Sequence, residues 1–386
     1  MKKAKNYLSS IALRNFKAIR NSGSLKLTPL TVFIGNNGSG KSSVIEGLET
    51  LRTFVTQDID AAMQMWRGIE HVRNKATKRR THFGPSGKEQ SSKPIEFHLR
   101  GRWQGEAFTA ESVINERGAG NELFVEREQV SLGGLARVRD DKDRVRTENE
   151  RRLVLPGAKS LLGLHLKEYI QGWQFLSLWP QAMGEPVPQT RTRDVVSLAK
   201  DGSNIAEYLW DIRARDLAAF EGIVETLKYV LPYATDVQPT LTSELERTVY
   251  LQLAEQGFKD KVPGWLLSTG TLRILALLAV LRHPSPPSLL LIEEIENGMD
   301  PRTIHLLVNE MQNAVQSGRI QIIITTHSPY LLDLLPLSSI IFVERQDGGD
   351  PVFTRPADEK QKREGASEFG PGQLYTMSRL SRGAGK

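Results

Sequence analysis

The sequence predicts an α/β fold, and three local patterns predict it. An apolar run, Thr31-Val32-Phe33-Ile34, leads into the stretch Gly35-Asn36-Asn37-Gly38-Ser39-Gly40-Lys41-Ser42-Ser43, and Val44 to Phe54 leads out with helical character. A second apolar run, Ser288 to Ile292, ends on two adjacent carboxylates, Glu293 and Glu294. A third, Ile320 to Ile324, runs into Thr325-Thr326-His327-Ser328-Pro329. Short apolar runs bounded by turn residues read as buried strands and longer periodic stretches as helices, which is the alternation of an α/β protein.

The first element carries the clearest chemistry. Gly35 to Ser42 satisfies G-x-x-x-x-G-K-[ST] between a strand and a helix, the context in which that pattern cradles phosphates. Glycines let successive backbone N–H groups turn inward around an anion, and the start of the helix adds partial positive charge. Asn36, Asn37, Gly38, Ser39, Gly40, Lys41, Ser42 and Ser43 are therefore the candidate triphosphate-binding residues. Lys41 is placed to reach the β- and γ-phosphates, and the Ser42 hydroxyl to bind Mg²⁺. A Gly/Ser-rich turn is the bland alternative, and the full match in this context argues against it.

The second strand has the form of a Walker B strand. Glu293 would hold Mg²⁺ through water, and Glu294 would polarise the attacking water. Two acids at the tip of a buried strand are costly unless something positive sits there. A strand ending at a solvated charged loop is the alternative. Between the two motifs, Leu267-Ser268-Thr269-Gly270-Thr271-Leu272-Arg273 precedes an apolar helical stretch running to Leu281, with Ser268 as candidate N-cap. After the carboxylates comes Glu296-Asn297-Gly298-Met299-Asp300-Pro301. His327, following the third strand, is placed by order and spacing as a γ-phosphate sensor.

In this order the five elements resemble the ABC-type ATPase head shared by the SMC, RecF and overcoming-lysogenization-defect (OLD) families. Ser268 to Arg273 is similar to the ABC signature but departs from LSGGQ, and Glu293 stands where most ABC proteins have Asp. The Glu-Glu pair, the NGMDP loop and the THSP switch resemble the stand-alone AAA-family ATPases of bacterial defence and abortive-infection operons. The opening Ile11 to Lys17 and Leu27 to Thr31 also resembles the RecF/SMC start. The likeness covers residues 8–55 and 262–345 well and the middle loosely.

The resemblance implies a P-loop NTPase fold, an ABC-type head with a mixed β-sheet and an inserted β-strand and helical middle region. It implies ATP and Mg²⁺, with Lys41, Ser42, Glu293, Glu294 and His327 acting on one nucleotide. Ser268, Gly270 and Asp300 would act on the nucleotide of the opposite subunit. It also implies an ATP-dependent homodimer, or a larger homo-oligomer, that hydrolyses ATP slowly as a regulatory switch. A glutamine that contacts Mg²⁺ belongs to such heads; Gln57, Gln104, Gln171 and Gln174 are all possible by order.

Composition agrees. The chain has 386 residues and 39% apolar content, enough for a substantial core. It has no cysteine, hence no disulfide framework or thiolate metal site. The seven histidines are scattered. The N-terminus lacks an apolar signal-peptide core, and the longest apolar run, Ile274 to Leu281, is short of the roughly 20 residues of a membrane span. A soluble, cytoplasmic protein is expected.

The organisation expected is an ATPase lobe at 1–55, an inserted region at 56–261, a second ATPase lobe at 262–345 and a tail at 346–386. Within the insert, Thr56 to Lys93 reads as a helix followed by a mobile segment, and Ile95 to Arg139 alternates as antiparallel strands do. Asp140 to Arg152 reads as a loop. Residues 160–171 and 203–231 have helical spacing, the latter with Asp201 or Ser203 as cap. No sustained heptads or internal repeats occur. The net charge of +6 is concentrated in 67–102, where Arg67, Arg73, Lys75, Lys78, Arg79, Arg80, Lys88, Lys93, Arg100 and Arg102 face few acids. Such a stretch could neutralise the phosphates of double-stranded DNA, or be a solvated insertion.

OLD-family nucleases continue into a Toprim domain after the ATPase; this chain ends in a tail rich in Gly, Lys, Arg and Pro, expected to be disordered. A nuclease or Toprim-like effector would then be a separate polypeptide, with Arg379, Arg382 and Lys386 available to it. Three functions follow: an ATPase controlling such an effector in phage defence, a RecF-like repair ATPase, or a transporter ATPase subunit. The long insert, the LSTGT signature and the Glu-Glu pair argue against the last.

Overall fold

The computed structural model describes residues 6–76, 80–84, 87–91, 93–117, 122–140, 161–190, 195–243, 246–345, 349–359, 369–378 and 380. Lys78, Arg79, residues 141–152 of the expected loop, and Arg379, Arg382 and Lys386 lie outside them. The chain divides into two compact units.

One unit, residues 3–173, 337–369 and 377–386, carries the phosphate loop. Its long first strand, Tyr7–Phe16, buries Leu8, Ile11, Leu13 and Phe16 and lies in a seven-stranded sheet. It pairs antiparallel with Ile19–Asn21, Leu25–Lys26 and Ile95–Trp103. The sheet continues through Glu106–Arg117, Glu122–Leu132 and Leu135–Asp140, so the alternation read over 95–139 is an antiparallel meander. The insertion after Thr56 forms short helices at Ile59–Gln64 and Ile69–Val72 and a hairpin, Arg80–Gly84 with Gly87–Ser91.

The strand before the phosphate loop, Leu30–Ile34, is fully buried and pairs in parallel with Ile340–Arg345. The helix after it, Lys41–Thr56, buries Val44, Ile45, Leu48, Leu51 and Phe54. Gly47 lets this helix approach the first strand, since a Cβ there would lie 2.8 Å from Leu13 Cδ1. The segment expected as a disordered tail contains ordered structure instead. Pro351–Thr354 pairs antiparallel with Ile340–Arg345, Phe353 opposite buried Val343 and Thr354 opposite buried Phe342.

The other unit, mainly residues 174–336 with 370–376, carries the carboxylates, the signature segment and His327. Strands Leu289–Ile292 and Gln321–Thr326 pair in parallel, Ile292 opposite Ile324, and every residue of both is buried. Parallel strands covered on both faces have such continuous apolar runs. The helix Thr269–Leu281 is buried from Thr271 onward, as its near-absence of polar positions requires. Pro301–Gln316 is amphipathic and packs through Ile304, Leu307, Val308 and Met311.

A four-stranded antiparallel sheet is built from Val187–Pro188, Thr248–Glu255, Ala234–Leu241 and Val262–Pro263. The helical stretch expected over 203–231 is two helices, Ile205–Arg215 and Leu217–Val230, broken at Asp216. Asp216 is extended (φ −150°) and caps the second helix by accepting from Ala219 N–H. Neither Asp201 nor Ser203 is the first cap; Asn204 holds that position. The Asp201 carboxylate accepts from Ser203 N–H at 3.0 Å, which forms the turn leading into the helix rather than its cap. From the tail, Pro371–Thr376 packs on Pro329–Asp333, Gly372 N–H donating to Asp333 Oδ1 at 2.7 Å.

Candidate functional site

The candidate residues form two groups, one in each unit. In the first, the chain leaves the buried strand at Ile34 and turns through Asn36, Asn37 and Gly38, all exposed, before Ser39, Gly40 and Lys41 are buried again. Gly38 and Gly40 have φ of 75° and 107°, the left-handed region that glycine enters freely. Gly35 is needed for a different reason: Val343 O occupies the place of a Cβ.

The loop and helix start fit a phosphate group on three observations. No side chain caps the helix at Gly40 and no acid sits in its first turn. Its leading N–H groups are therefore open to an anion. Among the described residues the buried Ser39 Oγ has no hydrogen-bond partner. Lys41 Nζ lies within the loop itself, donating to Gly35 O at 2.7 Å and Asn36 O at 3.0 Å. Ser42 is exposed at the helix start and Ser43 is buried.

The second group is organised around Glu294. This residue follows the Leu289–Ile292 strand in a left-handed conformation, φ 46°. A non-glycine residue there costs on the order of 1–3 kcal/mol, so the surroundings must hold it. They do so from several sides. Its N–H donates to Thr325 Oγ1 at 3.0 Å, its carbonyl accepts from Arg273 Nη2 at 3.1 Å, and its Oε2 accepts from Asn297 Nδ2 at 2.6 Å. His327 Nε2 lies 3.9 Å from Oε1. The His327 N–H in turn donates to Glu296 Oε1, fixing the switch backbone to the same loop. Glu293 N–H donates to Leu176 O at 3.0 Å.

The signature segment and the NGMDP loop meet beside this cluster. Ser268 caps Thr269–Leu281 by accepting from Thr271 N–H at 3.1 Å, and Ser268 and Thr269 remain accessible at the helix start. A Cβ on Gly270 would lie 2.7 Å from Gly298 O, so the glycine is required by loop packing. Asp300 caps Pro301–Gln316 through Arg302 and Thr303 N–H. The Thr303 hydroxyl also donates to its Oδ2 at 2.5 Å, and that bond holds the Asp300 carboxyl below its ordinary pKa. Arg273 is lowered by burial, against which Glu294 and Glu296 pull upward.

Thus Glu293, Glu294, Ser268, Gly270, Asp300 and His327 occur in one unit, while Asn36 through Ser43 form the loop of the other. Residue pattern alone assigns no role to Arg273, Thr325, Asn297 or Glu296. All four lie inside the motifs above, and that proximity is the signal available. Of the four glutamines, Gln174 is nearest in chain order to Leu176, but its Nε2 donates to Leu198 O at 3.0 Å. Gln57 is the C-cap of Lys41–Thr56, Gln171 ends Leu161–Gln171, and Gln104 sits at φ 48° between two strands. Among the described residues no group of three or more His, Asp or Glu could hold a metal. No described helix is long and apolar enough to cross a membrane.

Comparisons with known proteins bear on the family and the fold. A family model described as an AAA domain, putative AbiEii toxin, type IV TA system matches residues 206–333, and an AAA ATPase domain model matches residues 7–96. The fold is similar to an SMC head bound to the C-terminal winged-helix domain of ScpA, at 14% identity and TM-score 0.58, covering 93% of this chain and 99% of that one. It is also similar to an SMC head with an extended coiled coil bound to the C-terminal domain of ScpA from Pyrococcus furiosus. That match has 12% identity and TM-score 0.53 and covers 94% of this chain and 100% of that one. No curated protein matches the chain. The fold is that of an SMC-type P-loop ATPase head.

Proposed function

We propose that this SMC/ABC-like AAA ATPase closes as a pair around ATP and acts as a nucleotide-driven switch, or clamp on double-stranded DNA, for a separate nuclease-type effector in antiphage defence. The observation that carries the reading is Glu294, a half-exposed carboxylate held in a strained conformation beside His327. Strain of that kind persists where the surroundings over-determine it, and it clusters at working sites.

On this reading Asn36 through Ser43 hold the triphosphate, with Lys41 Nζ exchanging loop carbonyls for phosphate oxygens. Glu294 accepts a proton from water as the water oxygen attacks the γ-phosphorus. The bond to the β–γ bridging oxygen breaks, giving ADP and phosphate. His327 orients the same phosphate. Ser42, and Glu293 through water, would hold Mg²⁺, which would supply charge neutralisation at the phosphates.

Ser268, Gly270 and Asp300 act on the partner subunit's nucleotide. The accessibility of Ser268 and Thr269 at the helix start supports this assignment. Two such sites across one isologous interface make ATP the adhesive of the pair and hydrolysis its release. Turnover is slow, because the chemistry resets a switch. The AbiEii-type match favours a defence role over the RecF-like alternative. That SMC heads of similar fold are bound to domains of ScpA supports a head working through a second protein.

The test is to tag the chain at its native locus and identify what co-purifies, with and without ATP. A stoichiometric nuclease or Toprim-like protein supports the regulatory reading. The chain alone carrying nuclease-sensitive DNA moves the weight to repair, and membrane permease subunits overturn both.

A further inference from the structure

We infer that Arg273 is a positioning residue for hydrolysis, tying the signature helix to the backbone of Glu294. The inference rests on the reading that Glu294 is the base. Arg273 lies in the first turns of Thr269–Leu281, close behind Ser268 and Gly270, and is 7% exposed. Its fork spans two other segments: Nη1 donates to Leu178 O and Nη2 to Glu294 O, both at 3.1 Å.

Stability alone does not account for an arginine here. Both acceptors are neutral carbonyls, and among the described residues no carboxylate pairs directly with it and its buried Nε has no partner. A buried guanidinium so partnered is a poor stabiliser compared with an apolar side chain of similar volume. The neighbouring positions of this helix, Leu272 and Ile274 to Leu281, are apolar and buried. What the guanidinium adds is a rigid planar fork with two fixed directions.

The geometry at Glu294 gives that fork a use. With φ at 46°, Glu294 is held at its N–H by Thr325 and at its C=O by Arg273. Asn297 N–H also donates to Glu294 O at 3.1 Å, and Ile295 N–H to Thr325 O at 3.4 Å. Without Arg273 the peptide plane after Glu294 therefore rests on main-chain bonds of its own loop alone, and the tie from Glu294 to the signature helix is lost. The NGMDP loop lies beside Arg273, the Cβ position of Gly298 being 4.0 Å from Arg273 Cδ. Anything that shifts the start of the signature helix, including a nucleotide of the partner subunit, is thereby transmitted to the base.

The test uses the full-length chain and four variants: Arg273→Met, Arg273→Lys, Glu294→Gln, and Arg273→Met combined with Glu294→Gln. ATP affinity is read with a fluorescent ATP analogue and kcat by phosphate release at saturating ATP. Arg273→Met should bind ATP as the wild type does while kcat falls about 10²-fold, the scale of a misplacement near 1 Å. Arg273→Lys, which keeps the charge but can reach only one carbonyl well, should recover part of that loss. Added to Glu294→Gln, Arg273→Met should cost nothing further, because both act through one group. Wild-type kcat in Arg273→Met, or a fully multiplicative loss in the double variant, overturns the inference. Should Arg273→Met fail to fold, Arg273→Lys decides: kcat reduced at unchanged affinity supports it, and unchanged kcat overturns it. Wild-type turnover in Glu294→Gln overturns the assignment of the base itself, and is a separate failure from that of Arg273.

Discussion

His327 and Glu294 face one another with 3.9 Å between Nε2 and Oε1, while the His327 N–H is held by Glu296 of the loop that follows Glu294. The separation is too long for a direct hydrogen bond. Two residues so placed on one loop system can answer to the same phosphate. Glu294→Gln removes the base while preserving shape, so hydrolysis should fall by about 10²–10⁴-fold, the usual contribution of general base catalysis. ATP should then hold the pair together, giving a mass doubling with ATP in light scattering. Lys41→Ala should remove ATP binding, since a charge-assisted hydrogen bond to phosphate is worth about 1.5–3 kcal/mol. A Glu294→Gln protein of the same size with and without ATP would sink the dimer reading.

Ser268 separates stability from assembly. Its hydroxyl accepts from Thr271 N–H, and Asp is as good a cap as Ser. Ser268→Asp should therefore unfold within about 0.5 kcal/mol of the wild type in urea, whereas Ser268→Ala should lose about 1 kcal/mol. The added negative charge of Ser268→Asp, placed against the partner's triphosphate, should abolish ATP-driven pairing. Retained pairing in Ser268→Asp would remove this helix start from the interface.

Gly270 and Gly298 make a tighter demand. An alanine at 270 would bring its Cβ to 2.7 Å from Gly298 O, a backbone atom that moves only with its loop. Gly270→Ala should destabilise by about 1–3 kcal/mol as overpacked sites do. It should also displace Asn297, whose amide donates to Glu294. Denaturation and turnover measured together check this; full stability would mean the loop yields easily.

Asp300 carries a pH signature. Its pKa is depressed by the Thr303 hydroxyl and the Arg302 and Thr303 N–H groups. A depressed carboxylate contributes stability above its unfolded-state value, and the contribution is lost as pH falls through the folded value. The stability gap between wild type and Asp300→Ala, about 0.5–2 kcal/mol for a cap at neutral pH, should therefore persist down to about pH 4 and close below it. Chemical denaturation from pH 7 to pH 3 measures the gap; a constant difference would show that Asp300 does not act as a charged cap.

The basic stretch should behave as an electrolyte if it meets a duplex. Replacing Lys78, Arg79 and Arg80 with Glu should weaken binding to a short duplex and flatten its salt dependence, the slope changing by about 0.9 for each phosphate no longer neutralised. Unchanged affinity at moderate salt would separate this segment from nucleic acid.

Much of the arrangement was legible in one dimension because its parts are local. The phosphate loop is set by glycines that its turn requires and Ser268 by the helix N–H groups it caps, and such short-range rules are written in residue type and spacing. The buried strands Leu30–Ile34, Leu289–Ile292 and Gln321–Thr326 announced themselves as apolar runs. The break at Asp216 was missed because the helical periodicity continues across it, and only the extended backbone there reveals the cap. The ordered part of the tail was missed because its partners, Ile340–Arg345 and Asp333, are found by pairing and docking, not by its composition.

Residue order therefore specifies a phosphate loop, two carboxylates at a strand end, a capped signature helix and a histidine following a buried strand, all through local geometry. Long-range packing sets the rest: Glu294 at φ 46°, Arg273 and Thr325 holding it on either side, and Gly270 yielding its Cβ space to Gly298. Those relations join residues far apart in the chain through hydrogen bonds and steric exclusion. Neither periodicity nor spacing encodes which distant carbonyl a buried guanidinium will meet.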